Sequence, residues 1–179
     1  MQRSFIFITV LVLSCSVAVN IYLYLSRPTI AYVRSRDLIE KYSGTIEARA
    51  AFERKKSAML ANVDSLEVTL NKAREAFVEE QTSLSSRQQV QRQSELEQQR
   101  TRLYQYEEAI DQKIDEEDNK MMSAVLNQIN SFVEEYAKEN NIDIILGTTL
   151  SGSLLYGEQS MDITEQVLSS INNKYKGND

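Results

Sequence analysis

Residues 52–84 read FERKKSAMLANVDSLEVTLNKAREAFVEEQTSL, and their spacing decides the fold. Phe52, Met59, Leu66 and Ala73 step by sevens. Val63, Leu70, Phe77 and Leu84 form a second set offset by four. Alternating steps of four and three are the signature of a coiled-coil seam. The seam sits inside a longer stretch, residues 36–138, that contains no proline and one glycine, Gly44. That stretch is rich in Glu, Gln, Arg, Lys, Ala and Leu, the residues that lose least on entering a helix. A segment so long and so charged cannot be buried in a globular core, so it is a coiled coil, alone or folded back on itself.

Outward from the seam, residues 82–102 are poor in apolar anchors. Leu103, Ile110, Ile114, Met121, Val125, Ile129, Phe132 and Tyr136 then restore a stripe. Two seams around a polar middle predict an antiparallel hairpin. Its turn falls within Ser83–Arg87, where consecutive serines favour local side-chain to backbone bonds over helix. Each arm would hold about 50 residues, or about 75 Å at 1.5 Å per residue. Such a fold-back brings Arg54, Lys55 and Lys56 beside Glu116, Glu117 and Asp118. Pairs of this kind set register and orientation more than stability. The competing picture is one continuous helix in a parallel coiled coil, which the failure of the seam over its middle third disfavours.

Ahead of this stretch, Ser4 to Leu25 is an uncharged run of 22 residues, closed by Arg27 and Pro28. Spanning a bilayer takes about 20 apolar residues. A secretory signal core is usually about 7–15. The run therefore reads as an uncleaved anchor through residues 4–25. A signal cleaved after Ser16-Val17-Ala18 and a lipoprotein at Cys15 are the alternatives, and all three carry the rest of the chain across a membrane. Thr29–Arg34 reads as a short strand, and Ser35 as the N-cap of a helix carrying Leu38, Ile39 and Tyr42. Ser43-Gly44 reads as a kink in that helix.

After the hairpin, Asn140-Asn141 stops the helix. Residues 142–147 and 154–156 are read as two strands of a hairpin around a turn at 148–153. Asp162 and Glu165 stand at capping-box spacing before a last helix faced by Val167, Leu168 and Ile171. The tail from Asn172 is polar. The domain plan is thus 1–28, an anchor or signal; 29–44, the first part of a β body; 45–138, the helical hairpin; and 139–179, the second part of the body with its helix. The fold class is mainly α with a small β body. Three short strands and a helix are marginal alone and leave sheet edges open, so oligomerisation is expected.

Composition limits the chemistry. The chain has 179 residues, a net charge of −6 and no histidine, and Cys15 is its single cysteine. Acidity argues against nucleic acid as a partner. The lack of histidine removes Ser-His and Cys-His nucleophile pairs and imidazole metal sites. No catalytic, cofactor or metal constellation is found, so an enzyme is not expected. The carboxylates at 107–118 ride a helix rather than an oxygen-rich loop and read as a solvated face. Tyr104 and Tyr106 read first as seam-edge packing. Arg87, Arg92, Arg100 and Arg102 stand near the turn against Glu95 and Glu97. They read either as solvated surface or as a patch that meets a client or lipid headgroups.

Ile30-Ala31-Tyr32-Val33, Tyr42-Ser43-Gly44, the long hairpin, Glu135-Tyr136-Ala137, residues 142–147 (IDIILG), Leu155-Tyr156 and Asp162-Ile163-Thr164 occur in that order. In this ordered set the chain resembles the Skp/OmpH family of periplasmic chaperones. The resemblance implies a homotrimer whose strands join in a common body, with helical hairpins around a cavity. It implies an ATP-independent holdase that keeps unfolded outer-membrane proteins from aggregating in the periplasm. The chain departs from the family pattern at Arg34, where an acidic or amide residue is usual, and at Ser43, where proline is usual. It is also acidic and carries a longer apolar run, which adds a tether to the inner membrane. A reading from another class is a membrane-anchored coiled-coil adaptor or spacer of the envelope.

Overall fold

The structure is a computed structural model that describes residues 2–25, 27–148 and 154–177. Its elements are α1 (Gln2–Leu25), β1 (Ile30–Arg34), α2 (Ser35–Lys41), α3 (Ser43–Glu80), α4 (Ser86–Glu139), β2 (Ile144–Thr148) and α5 (Thr164–Tyr175). A single 3-10 turn, Gln159–Met161, precedes α5. The fold is mainly α with a small sheet, and α3 and α4 form the expected hairpin. The chain divides into two compact units, residues 1–38 with 131–170 and residues 39–130 with 171–179.

In the first unit β1 and β2 pair in parallel, with Ile30 opposite Ile144 and Arg34 opposite Thr148. A parallel pair needs a long crossover, and here more than a hundred residues separate the strands. Asp143 sets the start of the pairing. Its carboxylate accepts from the Thr29 N–H at 2.7 Å, and its own N–H donates to the Thr29 carbonyl at 3.0 Å. The segment arrives in register because α4 ends sharply. Asn141 adopts a left-handed φ of 51°. The Ile142 N–H then returns to the Ala137 carbonyl at 2.9 Å and the Asn141 N–H to Lys138 at 3.5 Å, the paired bonds of a Schellman ending. Ala31 and Val33 alternate onto the buried face of β1. Leu38, Thr164, Val167 and Leu168 are the other buried residues of this unit.

The second strand expected after β2 is absent. Leu154–Tyr156 is irregular, and Leu155 and Tyr156 are 95% and 83% exposed. The turn expected at 148–153 lies, from 149 on, outside the described residues. The place beside Tyr32 is taken by one parallel bridge to Asp162, with the Ile163 N–H donating to the Tyr32 carbonyl at 3.0 Å. Gly157 also lies close against Tyr32, since a Cβ there would stand 2.5 Å from the ring.

In the second unit the kink expected at Ser43-Gly44 is a full break one residue earlier. Tyr42 is extended, with φ −65° and ψ 125°, between α2 and α3. A helix break leaves backbone donors and acceptors without intrahelical partners. Asn172 answers both sides. Its Oδ1 accepts from the Ser43 N–H at 2.7 Å and its Nδ2 donates to the Lys41 carbonyl at 3.3 Å. Tyr175 meets Tyr42 edge to face at 5.5 Å and donates to Glu47 at 2.9 Å. The stretch from Asn172, expected to be a polar tail, is thus in part helix and in part a clasp on the break.

The hairpin turns at residues 81–85, overlapping the expected Ser83–Arg87 but starting two residues earlier. The arms are unequal: α3 has 38 residues and α4 has 54, because α2 is a separate element. Ser85 and Gln88 close the start of α4, with the Ser85 N–H and hydroxyl both donating to Gln88 Oε1 at 3.0 and 2.7 Å. This is one half of a capping box. Gln89 spans the turn from the other side, donating to the carbonyls of Gln81 and Leu84. The predicted fold-back register holds, with Lys55 Nζ 2.8 Å from Glu117.

Candidate functional site

The predicted seam packs only lightly. Phe52, Met59, Val63, Ala73 and Phe77 are partly buried on α3, and Leu70 is the one buried apolar residue between positions 46 and 124. Leu66, predicted as a seam residue, is 47% exposed. Ile46, Val68, Val78, Val90 and Tyr104 also stand open to solvent. Each helix closes its interior backbone bonds within itself, so the pair does not need a dense interface to satisfy them. What results is a long helical pair with apolar side chains scattered along it.

The four arginines occupy different surroundings. Arg92 pairs with Glu95 at 3.2 Å and Arg100 with Glu97 at 3.5 Å, both within α4. Hydrogen bonds from Gln91 and then Arg92 hold the Glu95 carboxyl below its ordinary range. Arg87 is exposed beside the turn. Arg102 lies at a cleft between α3 and α4 lined by Leu66, Leu70, Leu103 and Tyr106. Neither Arg87 nor Arg102 has a hydrogen-bond or ion-pair partner among the described residues. Glu79 and Glu80 close α3 at the same end of the hairpin. Over residues 79–102 four carboxylates therefore match four guanidinium groups. The end carries individual cations rather than a net positive field.

Tyr104 is 68% exposed, against the seam-edge reading, while Tyr106 is partly buried in the cleft. The acidic stretch 107–118 is tied into the helix pair. Lys55 lies against Glu117, and Lys113 reaches both Glu116 and Glu117 at 3.3 and 3.5 Å. The Lys55 hydrogen bond leads in lowering the Glu117 carboxyl, and the Glu116 bond leads in raising the Lys113 ammonium. Among the described residues no three His, Cys, Asp or Glu side chains gather as metal ligands.

Arg34 meets three carboxylates in the strand-bearing unit. Its guanidinium lies 2.7 Å from Asp37, 3.2 Å from Asp162 and 3.2 Å from Glu165. Its N–H donates to the Thr164 hydroxyl at 2.9 Å. Asp162 in turn accepts from the Thr164 N–H and hydroxyl, capping α5. Burial pushes the Asp162 carboxyl upward, but the bonds from Thr164 and the nearby Arg34 outweigh it and leave it lowered. Sequence reasoning saw Arg34 only as a departure from a pattern. Its carboxylate partners at 162 and 165 lie too far along the chain for spacing to reveal them.

The expected tether through residues 4–25 gains no support. Residues 2–25 form α1, but among the described residues no helix is long and apolar enough to cross a membrane.

A lightly packed helical hairpin, with a parallel pair formed by strands that precede and follow it in the sequence, defines the fold class. The profile of the OmpH-like outer membrane protein family matches residues 29–171, and the chain belongs to that family. Among solved structures it is similar to a protein from Caulobacter crescentus CB15 assigned as an OmpH-like outer membrane chaperone. The identity is 13%, the TM-score 0.74, and the match covers 83% of this chain and 86% of the other. At that identity the likeness speaks for the fold. No curated protein matches.

Proposed function

We propose that the protein is an ATP-independent holdase of the periplasm that binds unfolded outer-membrane proteins and keeps them from aggregating. Family membership supports the chaperone class, and one observation carries the mechanism: large apolar side chains lie exposed and scattered along the hairpin. A holdase needs many weak, adaptable contacts rather than one hot spot. It stabilises the unfolded client by mass action, with no cofactor and no covalent chemistry. Arg87, Arg92, Arg100 and Arg102 add cationic contacts to client or lipid near the turn.

A homotrimer is the working assembly in this reading. A two-stranded sheet is marginal alone, and Ile30, Ile144 and Leu146 on it are exposed. Further copies of the chain would cover them. Analytical ultracentrifugation of the full-length protein should give three times the protomer mass, and a monomer would remove this part of the reading.

The central test is aggregation. Full-length protein at near-stoichiometric amounts should suppress light scattering when an outer-membrane protein is diluted from urea. A spacer would leave the scattering at the level seen with an unrelated coiled coil. Replacing all four arginines by Gln should weaken client binding at low salt while leaving the helical circular dichroism unchanged. Equal binding would remove the arginines from the client surface.

A further inference from the structure

The cleft between α3 and α4 is an apolar recess with a volume of about 340 Å³. Leu66 and Leu70 on α3 face Leu103 and Tyr106 on α4 across it, and Gln99 and Arg102 complete its rim. The α3 side of the lining runs four steps, from Leu66 to Leu70, and the α4 side seven, from Gln99 to Tyr106, or about 6 and 10 Å at 1.5 Å per step. That length suits one large side chain and is short for a fatty acyl chain laid out straight.

The rim charge differs from two arginines that precede it on α4. Arg92 and Arg100, on the same helix, are already held by carboxylates at i+3 and i−3. Arg102 has Gln98, Gln99, Gln105 and Tyr106 at the positions one turn away, none of them acidic. In a chain of net charge −6 it remains without an ion-pair partner among the described residues. A recess nearer the turn shows the contrast, since the arginine that lines it, Arg92, already pairs with Glu95 and its volume is only about 80 Å³. A guanidinium beside apolar walls is complementary to a carboxylate carried next to an apolar group, which it can meet through two parallel hydrogen bonds.

We propose that this cleft reads client sequence: it takes one large apolar side chain of an unfolded chain, and Arg102 holds a carboxylate on the neighbouring residue. The proposal rests on the client-binding reading above and gives it a preferred motif, an apolar residue beside an acidic one.

The test uses full-length protein and three labelled, unstructured peptides that differ at one dipeptide, Phe-Asp, Phe-Asn or Ala-Asp, read by fluorescence anisotropy. Wild type should bind the Phe-Asp peptide most tightly. Arg102→Gln should weaken that peptide about tenfold, the lower end for a charge-assisted bond, and leave the Phe-Asn peptide unchanged. Leu66→Gln, at a half-exposed position where folding is safe, should weaken both Phe peptides and spare Ala-Asp. Lys72→Gln, an exposed cation elsewhere on α3, should change none. Equal loss on Phe-Asp and Phe-Asn, or no loss at all, overturns the proposal. So does displacement of the peptide by a medium-chain fatty acid that binds more tightly, which would make the cleft a lipid site. If clients are still held soluble while the peptide preference is missing, the cleft alone is wrong. If no client is held soluble, the chaperone reading falls first.

Discussion

Residues 46–124 and the segments that flank them solve the same problem in opposite ways. Among the described residues, nine of the ten buried apolar side chains lie in the flanks, at Ala31, Val33, Leu38, Tyr42, Val125, Ile129, Val167, Leu168 and Ile171. Residues 46–124 contribute Leu70 alone, while Val125 and Ile129 lie at the far end of α4. A two-stranded sheet and short helices must be packed to exist. A long helix pair has its backbone bonds in hand and can leave apolar side chains facing water. The difference separates a part that must hold its form from a part free to meet partners.

The sharpest way to break this contrast is to truncate one side chain in each region. Leu38, only 2% exposed, should cost about 2–5 kcal/mol when changed to Ala, the range for emptying a packed site. Leu66→Ala should fall within about 0.5 kcal/mol of wild type, as exposed positions do. Denaturant unfolding of the full-length variants compares them directly, and equal losses would end the distinction. A client-binding assay should rank them in reverse, with Leu66→Ala the more damaging.

A smaller effect is expected from the charges around Arg34. Burial works against the ionised Asp162, yet bonds from Thr164 and Arg34 leave its carboxyl lowered in the folded state. A lowered carboxylate contributes stability that is present above the unfolded value, about 3.9, and lost as pH falls through the folded one. Asp162→Asn should therefore be less stable than wild type at neutral pH, and the gap should close below about pH 4. Thermal melts across pH 2 to 7 would show it, and a gap constant with pH would assign the loss to packing instead.

The smallest expected change is a gain. Thr45 is 1% exposed, and its hydroxyl has no partner among the described residues. Leaving a buried polar atom unsatisfied costs free energy that an apolar group of the same shape does not incur. Thr45→Val should stabilise the fold by up to about 1 kcal/mol. A loss on substitution would mean that the hydroxyl is satisfied in the assembled protein.

Much of the hairpin was legible because its signals are local. The heptads at 52–84, the serines at 83–86 and the charge pairing of Lys55 with Glu117 placed its helices, turn and register. The Ser85-x-x-Gln88 cap was equally local, and the pattern of Ser followed three residues later by Gln could have revealed it. The strand at 154–156 was misread because Leu-Leu-Tyr looks like a strand wherever it stands, and nothing in it records that no partner awaits. The break at Tyr42 was read one residue late because glycine attracts that reading. Gly44 serves a different end here, since a Cβ on it would lie 2.5 Å from the Tyr42 ring. At the candidate site the four arginines were visible as residues. Which of them keeps a free guanidinium beside an apolar cleft was not.

The sequence by itself determined two long helices, the place of their turn, and short strands before and after them, since periodicity and capping act over a few residues. The tertiary structure alone decided that β1 and β2 pair in parallel. It alone brought Asp162 beside Tyr32, set Asn172 across the break at Tyr42 and surrounded Arg34 with carboxylates. Those contacts join positions more than a hundred residues apart, apart from the neighbouring Arg34 and Asp37. Contacts at that separation leave no mark in local spacing, which is why the sequence pattern does not record them.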